Sequence, residues 1–152
     1  MTPGLPDRPL TLERGGRILT TDRARIDVDA ALALLRGTFW AGAMPRDTLA
    51  RAIANSVSFG VLEADRLVAF ARVVTDLATY AYWTDVVVAE DRRGSGIGQW
   101  LTESMLAHPG LQGLRRVALM TRDAQALYER LGFRVGSSGS TYMEIKPGPT
   151  GP

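Results

Sequence analysis

Apolar and polar positions follow two different periods along the chain, and each change of period separates predicted strands from predicted helices. The apolar run at 16–20 predicts a short first strand. Apolar residues at helical spacing predict a helix over 27–40, which Asp27 is placed to cap, and a second helix over 45–56. Three consecutive strands, the first two joined as a hairpin, are then predicted over 56–64, 66–75 and 79–90.

The second half of the chain alternates helices with short strands. Residues 95–108 carry a helical apolar stripe, whose members are Ile97, Trp100, Leu101 and Met105. The apolar run over 115–121 predicts a buried strand, and 123–132 predicts a short helix that Asp123 caps and Gly132 ends. Two last strands are expected at 132–136 and 140–146.

The order of these elements constrains the fold. A strand, a helix and a strand between Val86 and Met120 imply a parallel pair, because a helical crossover returns the chain in the same direction. We therefore expect an α/β fold with a central mixed, mostly antiparallel sheet of about six to seven strands and about four flanking helices. Both ends are rich in proline and glycine, so we expect flexible tails at 1–12 and 147–152 around a single domain at 13–146.

Composition removes several classes of function. Without cysteine, the chain has no disulfide framework, thiolate nucleophile or sulfur-ligated metal site, and its single histidine, His108, stands before Pro109 in a helix-stop context. The formal net charge is only +2, and scattered arginines interleaved with acidic residues argue against nucleic acid binding. No run reaches the ~18 apolar residues of a membrane span, and no signal peptide is evident. We expect a cytoplasmic enzyme or binding module with no membrane partner.

The most unusual stretch is VAEDRRGSGIGQWL at 88–101, which places three glycines where a helix should begin. Glycine in a helix costs roughly 0.5–1 kcal/mol relative to alanine. A glycine-rich turn that opens a helix presents backbone N–H groups at the positive end of the helix dipole, which favours an anion. Two nucleotide motifs fit poorly, since the P-loop lysine is absent and Gln99 stands where the dinucleotide fingerprint needs Gly or Ala.

This stretch resembles the acyl-CoA-binding motif of the GNAT superfamily of N-acetyltransferases, R/Q-x-x-G-x-G/A after a strand that ends in valine. The matching residues are Val88, Arg93, Gly94, Gly96, Ile97, Gly98 and Leu101, whereas Glu90 stands where proline is usual. A second stretch, DAQALYERLGF, is similar to a later signature of the family, with Ala124, Leu127, Tyr128, Gly132 and Phe133 in place. Together the motifs imply a GNAT-like fold and an N-acetyltransferase that uses acetyl-CoA.

The resemblance assigns coenzyme binding to main-chain groups. Backbone amides of the loop would hold the pyrophosphate, and the preceding strand would pair with the pantetheine arm and the thioester carbonyl. The loop residues are Arg93, Gly94, Ser95, Gly96, Ile97, Gly98 and Gln99, and the strand residues are Val86, Val87 and Val88. Arg92 or Arg93 is a candidate phosphate partner, and Arg92 fits a solvated loop arginine equally well.

The implied reaction is direct attack of an amine on the thioester, because neither a cysteine nor a serine elbow offers a covalent relay. Tyr128 occupies the position of the family's general acid, and a phenol with an ordinary pKa of ~10 is protonated at pH 7. Asp85, just before the valine run, is the candidate base, because its D-x-x-V spacing resembles some small-amine acetyltransferases of the family. The alternatives are Tyr82, Thr84 and Glu103. No metal site is expected.

The acceptor is left open by the sequence. Aromatic residues in segments that border the acceptor cleft of this fold suit an amine with an apolar part, and suit the core equally well: Phe39, Trp40, Tyr80, Tyr82 and Trp83. Thr121 stands where the family often has asparagine, so a pantetheine contact there falls to Thr121 or Asp123. We expect a small-molecule or peptide amine as acceptor and a monomer or homodimer. A non-catalytic acyl-CoA sensor is the alternative.

Overall fold

The computed structural model describes residues 8–136 and 139–147, which form a six-stranded sheet with helices on both faces. The strands are β1 (Thr11–Arg14), β2 (Arg17–Thr20), β3 (Val57–Glu63), β4 (Arg66–Thr75), β5 (Tyr80–Val88) and β6 (Arg116–Leu119). The helices are α1 (Val28–Leu35), α2 (Arg46–Ala54), α3 (Ile97–Ala107) and α4 (Gln125–Arg130). The strands lie side by side in chain order, and every neighbouring pair is antiparallel except β5 and β6. The expected mixed sheet and its parallel pair are therefore confirmed.

Both faces of the sheet are covered, which explains why β3 and β4 are nearly continuous apolar runs. Helices α1 and α2 pack on one face, against Phe70 and Val87 among others. Helix α3 packs on the opposite face against Phe59 and Trp83, and Tyr128 of α4 joins this second cluster. The predicted apolar stripe of α3 is confirmed, because all four of its members are buried.

Strand β5 changes the face to which its alternate side chains point. Ala81 and Trp83 belong to the cluster under α3, and so do Val86 and Val88, although the two pairs are out of phase for a regular strand. Asp85 between them has φ of 58°, and the register with β4 shifts at the same level. One extra residue in β5, a β-bulge, explains all three observations.

The N-terminal part of the sheet corrects one expectation. Strand β1 was not predicted, and it includes Thr11 and Leu12 of the expected tail at 1–12, of which residues 1–7 lie outside the described residues. All four β1 residues are exposed, so the strand has no buried face to produce an alternating pattern. Its signal was instead the Gly15-Gly16 turn, where both residues have positive φ, as a tight hairpin requires.

The C-terminal part of the chain corrects two further expectations from the sequence. The described residues of 132–136 and 140–146 form no strand, although the second stretch alternates in polarity. Its apolar side chains meet no facing layer, and Ile145 is 99% exposed. Asp123 does not cap α4, because the helix begins one residue later than expected and the hydroxyl of Thr121 accepts the Ala124 N–H at 3.0 Å. By contrast, Asp27 caps α1 as predicted.

His108 ends α3, as its helix-stop context predicted, and its ring is buried against Phe59. Nδ1 accepts the Gly110 N–H at 2.9 Å, whereas Nε2 has no hydrogen-bond partner among the described residues. Burial lowers the pKa of His108 below its ordinary value, because the charged imidazolium loses its hydration. The folded chain therefore binds a proton at this site less readily than the unfolded chain.

We predict that this difference makes stability fall with acid. Below the ordinary histidine pKa of ~6.5 the unfolded state takes up a proton that folded His108 resists, so one site contributes at most ~1.4 kcal/mol of lost stability per pH unit. His108→Asn keeps an acceptor for the Gly110 N–H and cannot titrate. Urea unfolding at about pH 7.5 and about pH 5.5 should show a smaller drop for His108→Asn than for the parent. Equal drops would contradict the assignment.

Candidate active site

A cleft opens where β5 and β6 separate. Their parallel pairing runs from Tyr80 opposite Arg116 to Trp83 opposite Leu119, where β6 ends while β5 continues to Val88. Beyond Trp83, this edge of β5 has no partner strand within the described part of the chain. The resulting cleft has a volume of about 460 Å³ and is lined by residues 39–40, 82–86, 119–124 and Tyr128.

The bulge of β5 places the Asp85 carboxylate in this cleft, and Arg72 of β4 holds it. Nε of Arg72 donates to Oδ2 of Asp85 at 2.7 Å, and the two side chains are only 12% and 2% exposed. Arg72 also donates to Oγ of Ser56 at 3.0 Å, so the guanidinium is fixed from two sides. Oδ1 of Asp85 accepts no hydrogen bond from the described residues, which leaves one carboxylate oxygen for a group in the cleft.

Two phenols, Tyr82 and Tyr128, also line the cleft. The rings of Trp83 and Phe133 contact Tyr128 edge-on, with centroids at 6.4 and 5.8 Å. Burial raises the pKa of Tyr128 above its ordinary value. Burial also raises the pKa of Tyr82, with smaller contributions from Tyr80 and from the charge of Asp85. Both hydroxyls are therefore protonated at neutral pH and able to donate.

The glycine-rich loop lies between the end of β5 and α3. After a 3-10 turn at Glu90–Arg92, Gly94 and Gly96 adopt φ of 77° and 85°, in the left-handed region that side chains rarely tolerate. Gly96 is the N-cap of α3 and offers no side chain to the helix end. The N–H groups from Gly94 to Gln99 make no hydrogen bond within the described residues. The loop thus directs a run of unpaired donors outward at the positive end of α3.

Ion pairs hold the start of this loop on the sheet. Arg92 contacts Glu63 at 2.8 Å, Arg17 of β2 contacts the same carboxylate at 3.0 Å, and Arg66 contacts Asp91 at 2.7 Å. Arg92 and then Arg17 lower the pKa of Glu63 to about 2. Arg92 is therefore held in ion pairs with Glu63 and Asp91 and is not a solvated loop arginine, which makes Arg93 the better candidate for a phosphate.

Arg93 remains the candidate phosphate partner, because it is exposed and has no ion pair within the described residues. Among the other coenzyme residues expected from the sequence, Val86 lines the cleft, while Val87 is buried under α1 and α2. Ile97 is buried as well, and the side chain of Gln99 donates to Glu103 at 2.8 Å. Val87 and Ile97 can therefore serve a ligand only through their main chain, whereas the exposed Gln99 side chain keeps its amide oxygen unbonded within the described residues.

Some of the remaining candidate site residues line the cleft and others do not. Tyr82 and Thr84 lie in the cleft with Asp85, whereas Glu103 is exposed on α3 outside the cleft lining. Tyr80 also lies outside the lining. Sequence reasoning missed Arg72, and the signal available was a charged residue inside the apolar strand AFARVV. It also missed Arg122, which no local pattern distinguishes.

Two kinds of feature are absent from the described residues. No helix there is long and apolar enough to cross a bilayer. No cluster of three or more histidine, cysteine, aspartate or glutamate side chains in that part of the chain is arranged to hold a metal ion.

Comparisons with known proteins agree with this architecture. The family model for the acetyltransferase (GNAT) domain matches residues 55–135. A Gibberella zeae protein named "Putative acetyltransferase" is 32% identical over 151 residues, with 84% of each chain covered. A crystal structure from Xanthomonas campestris, described as a "putative acetyltransferase belonging to the gnat family", is 39% identical with a TM-score of 0.83 and covers 89% of this chain and 96% of that one.

More distant structures share the fold alone. A Staphylococcus aureus protein described as a "Probable Acetyltransferase" is 23% identical with a TM-score of 0.69, covering 86% of this chain and 99% of that one. The family model spans more than half of this chain, and the Gibberella zeae relative extends over most of it. The chain therefore belongs to the GNAT family of acetyltransferases.

Proposed function

We propose that the protein transfers an acetyl group from acetyl-CoA to the nitrogen of a small-molecule or peptide amine. The observation that carries this proposal is the run of unpaired N–H groups from Gly94 to Gln99, which adjoins the free edge of β5. An anionic pyrophosphate suits the first feature, because the donors and the helix dipole act together on it. An extended amide-bearing chain such as pantetheine suits the second, because it can add to an open strand edge.

Gly98 supports a close ligand approach at this loop. It does not have positive φ, and a methyl group added there would lie 3.5 Å from Cγ2 of Val88, which is ordinary contact distance. Neither backbone conformation nor internal packing therefore requires glycine at this position. A small residue next to the unpaired amides leaves room for the coenzyme, and Arg93 adds a charge that suits phosphate.

The proposed chemistry is direct attack in the cleft. The amine nitrogen bonds to the thioester carbonyl carbon, the resulting tetrahedral centre collapses, and the carbon–sulfur bond breaks. Tyr128 gives its phenolic proton to the leaving thiolate and regains one from solvent. Backbone donors of β5 near Val86 are the candidate groups to stabilise the developing oxyanion.

Asp85 is the proposed acceptor of the proton that the ammonium loses before attack, and the second proton, which the nitrogen loses as the tetrahedral centre collapses, passes to solvent. Oδ1 carries no hydrogen bond from the described residues, while the Arg72 contact fixes the orientation of the carboxylate. An ammonium or a bridging water can therefore meet a preoriented acceptor. Tyr82 and Thr84 are neighbouring groups that can hold such a water.

Gly96→Leu should abolish tight acetyl-CoA binding, because a side chain here displaces the pyrophosphate from the loop amides. Gly113→Leu is the matched control. Gly113 also has positive φ, 73° against 85° for Gly96, and a Cβ at either position meets nothing within 4 Å. Calorimetric titration should show a large loss of affinity for Gly96→Leu alone, with similar destabilisation of both variants. Comparable losses of affinity in both would contradict the placement of the coenzyme.

Tyr128→Phe should lower kcat by ~10²–10⁴-fold with acetyl-CoA affinity changed at most a few-fold, because the ring is kept and only the donor is removed. Tyr80→Phe, at an exposed tyrosine outside the cleft, should turn over like the parent. Thiol release under saturating substrates measures the effect. Parental turnover by Tyr128→Phe across the pH range would assign the acid role to water or another group.

Asp85→Asn should lower turnover most at neutral pH, since it keeps an oxygen for Arg72 but cannot accept a proton. An amine with a pKa near ~10.4 loses its proton unaided as the pH rises, so the deficit should narrow from ~10²-fold at about pH 7 toward parity at about pH 10. Asp65→Asn, in the turn between β3 and β4, is the control. A deficit that stays constant with pH would make Asp85 a positioning residue.

Thiol release from acetyl-CoA across a library of amines, peptides and antibiotics tests the proposed activity as a whole. Turnover of at least one amine is the expected result. Binding of acetyl-CoA without turnover of any acceptor would instead favour a non-catalytic sensor.

A further inference from the structure

We propose that Arg122, held against the ring of Phe39, selects an acceptor that carries an anionic group in addition to its amine. This inference rests on the proposed N-acetyltransferase activity and narrows its substrate class. Two segments that are distant in sequence meet at the cleft. Phe39 follows α1 and Arg122 follows β6, so the two residues are far apart in the sequence.

The guanidinium of Arg122 stacks on an aromatic ring. Its Cζ lies 3.7 Å from the centroid of Phe39, and the neighbouring Trp40 packs edge-on against Phe39 with the centroids 5.1 Å apart. No carboxylate lies within 4.0 Å of the Arg122 nitrogens in the described part of the chain, even though Asp123 is adjacent and also lines the cleft. The positive charge therefore lies over the Phe39 ring, and no carboxylate of the described residues neutralises it.

Stacking leaves the donors of Arg122 available. A guanidinium interacts with a ring through its flat face, whereas its N–H bonds point outward in the plane of the group. None of them is used in a hydrogen bond with the described residues. A carboxylate or phosphate in the cleft can thus accept two N–H bonds while the ring holds the guanidinium in orientation.

The rest of the cleft suits the remaining parts of such an acceptor. Phe39 and Trp40 are 59% and 48% exposed, and Met120, which also lines the cleft, is 65% exposed, so the cleft offers apolar surface as well as the cation. Oδ1 of Asp85 is available to an ammonium group. An amine with an anionic group and an apolar part matches these three features, whereas a polycationic amine would place like charge beside Arg122.

The experiment compares amines in matched pairs, with thiol release from acetyl-CoA as the measurement. L-phenylalanine is paired with 2-phenylethylamine, which lacks the carboxylate, and 2-aminoethyl phosphate is paired with 2-aminoethanol. A wider set adds the other amino acids and their decarboxylated amines. For each amine, kcat/KM of Arg122→Gln is divided by that of the parent, so that differences in intrinsic amine reactivity cancel.

We expect Arg122→Gln to lower kcat/KM about ten- to a hundred-fold for the preferred anionic amine, mainly by raising KM, and to leave the partner amine that lacks the anionic group within two-fold, because only the anion loses a charge-assisted bond. Arg122→Lys should recover part of the loss. Arg130→Gln, at an exposed arginine of α4 outside the cleft, should change neither amine. Raised salt should increase KM more for the anionic amine than for its partner, because the anionic amine has a second charged contact to be screened.

A binding measurement keeps the test independent of turnover. In the presence of CoA, calorimetry should show that the anionic member of a pair binds more tightly to the parent than to Arg122→Gln. The carboxylate and phosphate pairs distinguish the two sources of the anion. Equal effects of Arg122→Gln on both members, or no preference for any anionic amine, would overturn the inference while leaving turnover intact. Absence of both acetyl-CoA binding and thiol release would instead overturn the proposed function.

Discussion

Strand β5 pairs with β4 along nearly its whole length but with β6 along only its first half. The cleft exists because of this difference in the length of pairing. A four-residue β6 cannot follow a nine-residue neighbour, so the second half of β5 keeps an open edge inside the fold. An open edge presents unpaired N–H and C=O groups that need a partner. The helices on both faces leave only the side of the cleft for such a partner to enter.

The bulge in β5 adds a polar group to this edge at an energetic cost that Arg72 offsets. Asp85 sits in the left-handed region of φ and is almost wholly buried, and either condition alone is unfavourable for a carboxylate. The Arg72 ion pair compensates the charge, and Ser56 anchors the arginine in turn. A buried pair of this kind adds little net stability, whereas loss of one partner typically costs ~3–5 kcal/mol. Its contribution is therefore to fix where the free carboxylate oxygen lies.

The sequence predicted those elements whose apolar side chains are buried in the core. It did not predict features that depend on contacts between residues distant in the sequence. The strands β3, β4 and β5 and the stripe of α3 were predictable because their apolar side chains meet a core. The exposed β1 gave no such pattern. The stretch at 140–146 gave the pattern without a facing layer, so its described residues form no strand. At the candidate site, the sequence identified Asp85 and the glycine loop as candidates. It could not identify the pairing of Arg72 with Asp85, because that pairing depends on the register between β4 and β5 in the folded sheet.

The attachment of the glycine loop has a kinetic consequence. Glu63 accepts Arg17 from the sheet and Arg92 from the loop, and its lowered pKa keeps the carboxylate ionised well into the acid range. Arg66 holds the next residue, Asp91, in the same way. These contacts fix the segment before any ligand arrives, so the conformational entropy of ordering is lost during folding rather than at association. For the pyrophosphate proposed as its ligand, a loop organised in advance in this way predicts capture at a rate set by diffusion and charge, without a slow closing step.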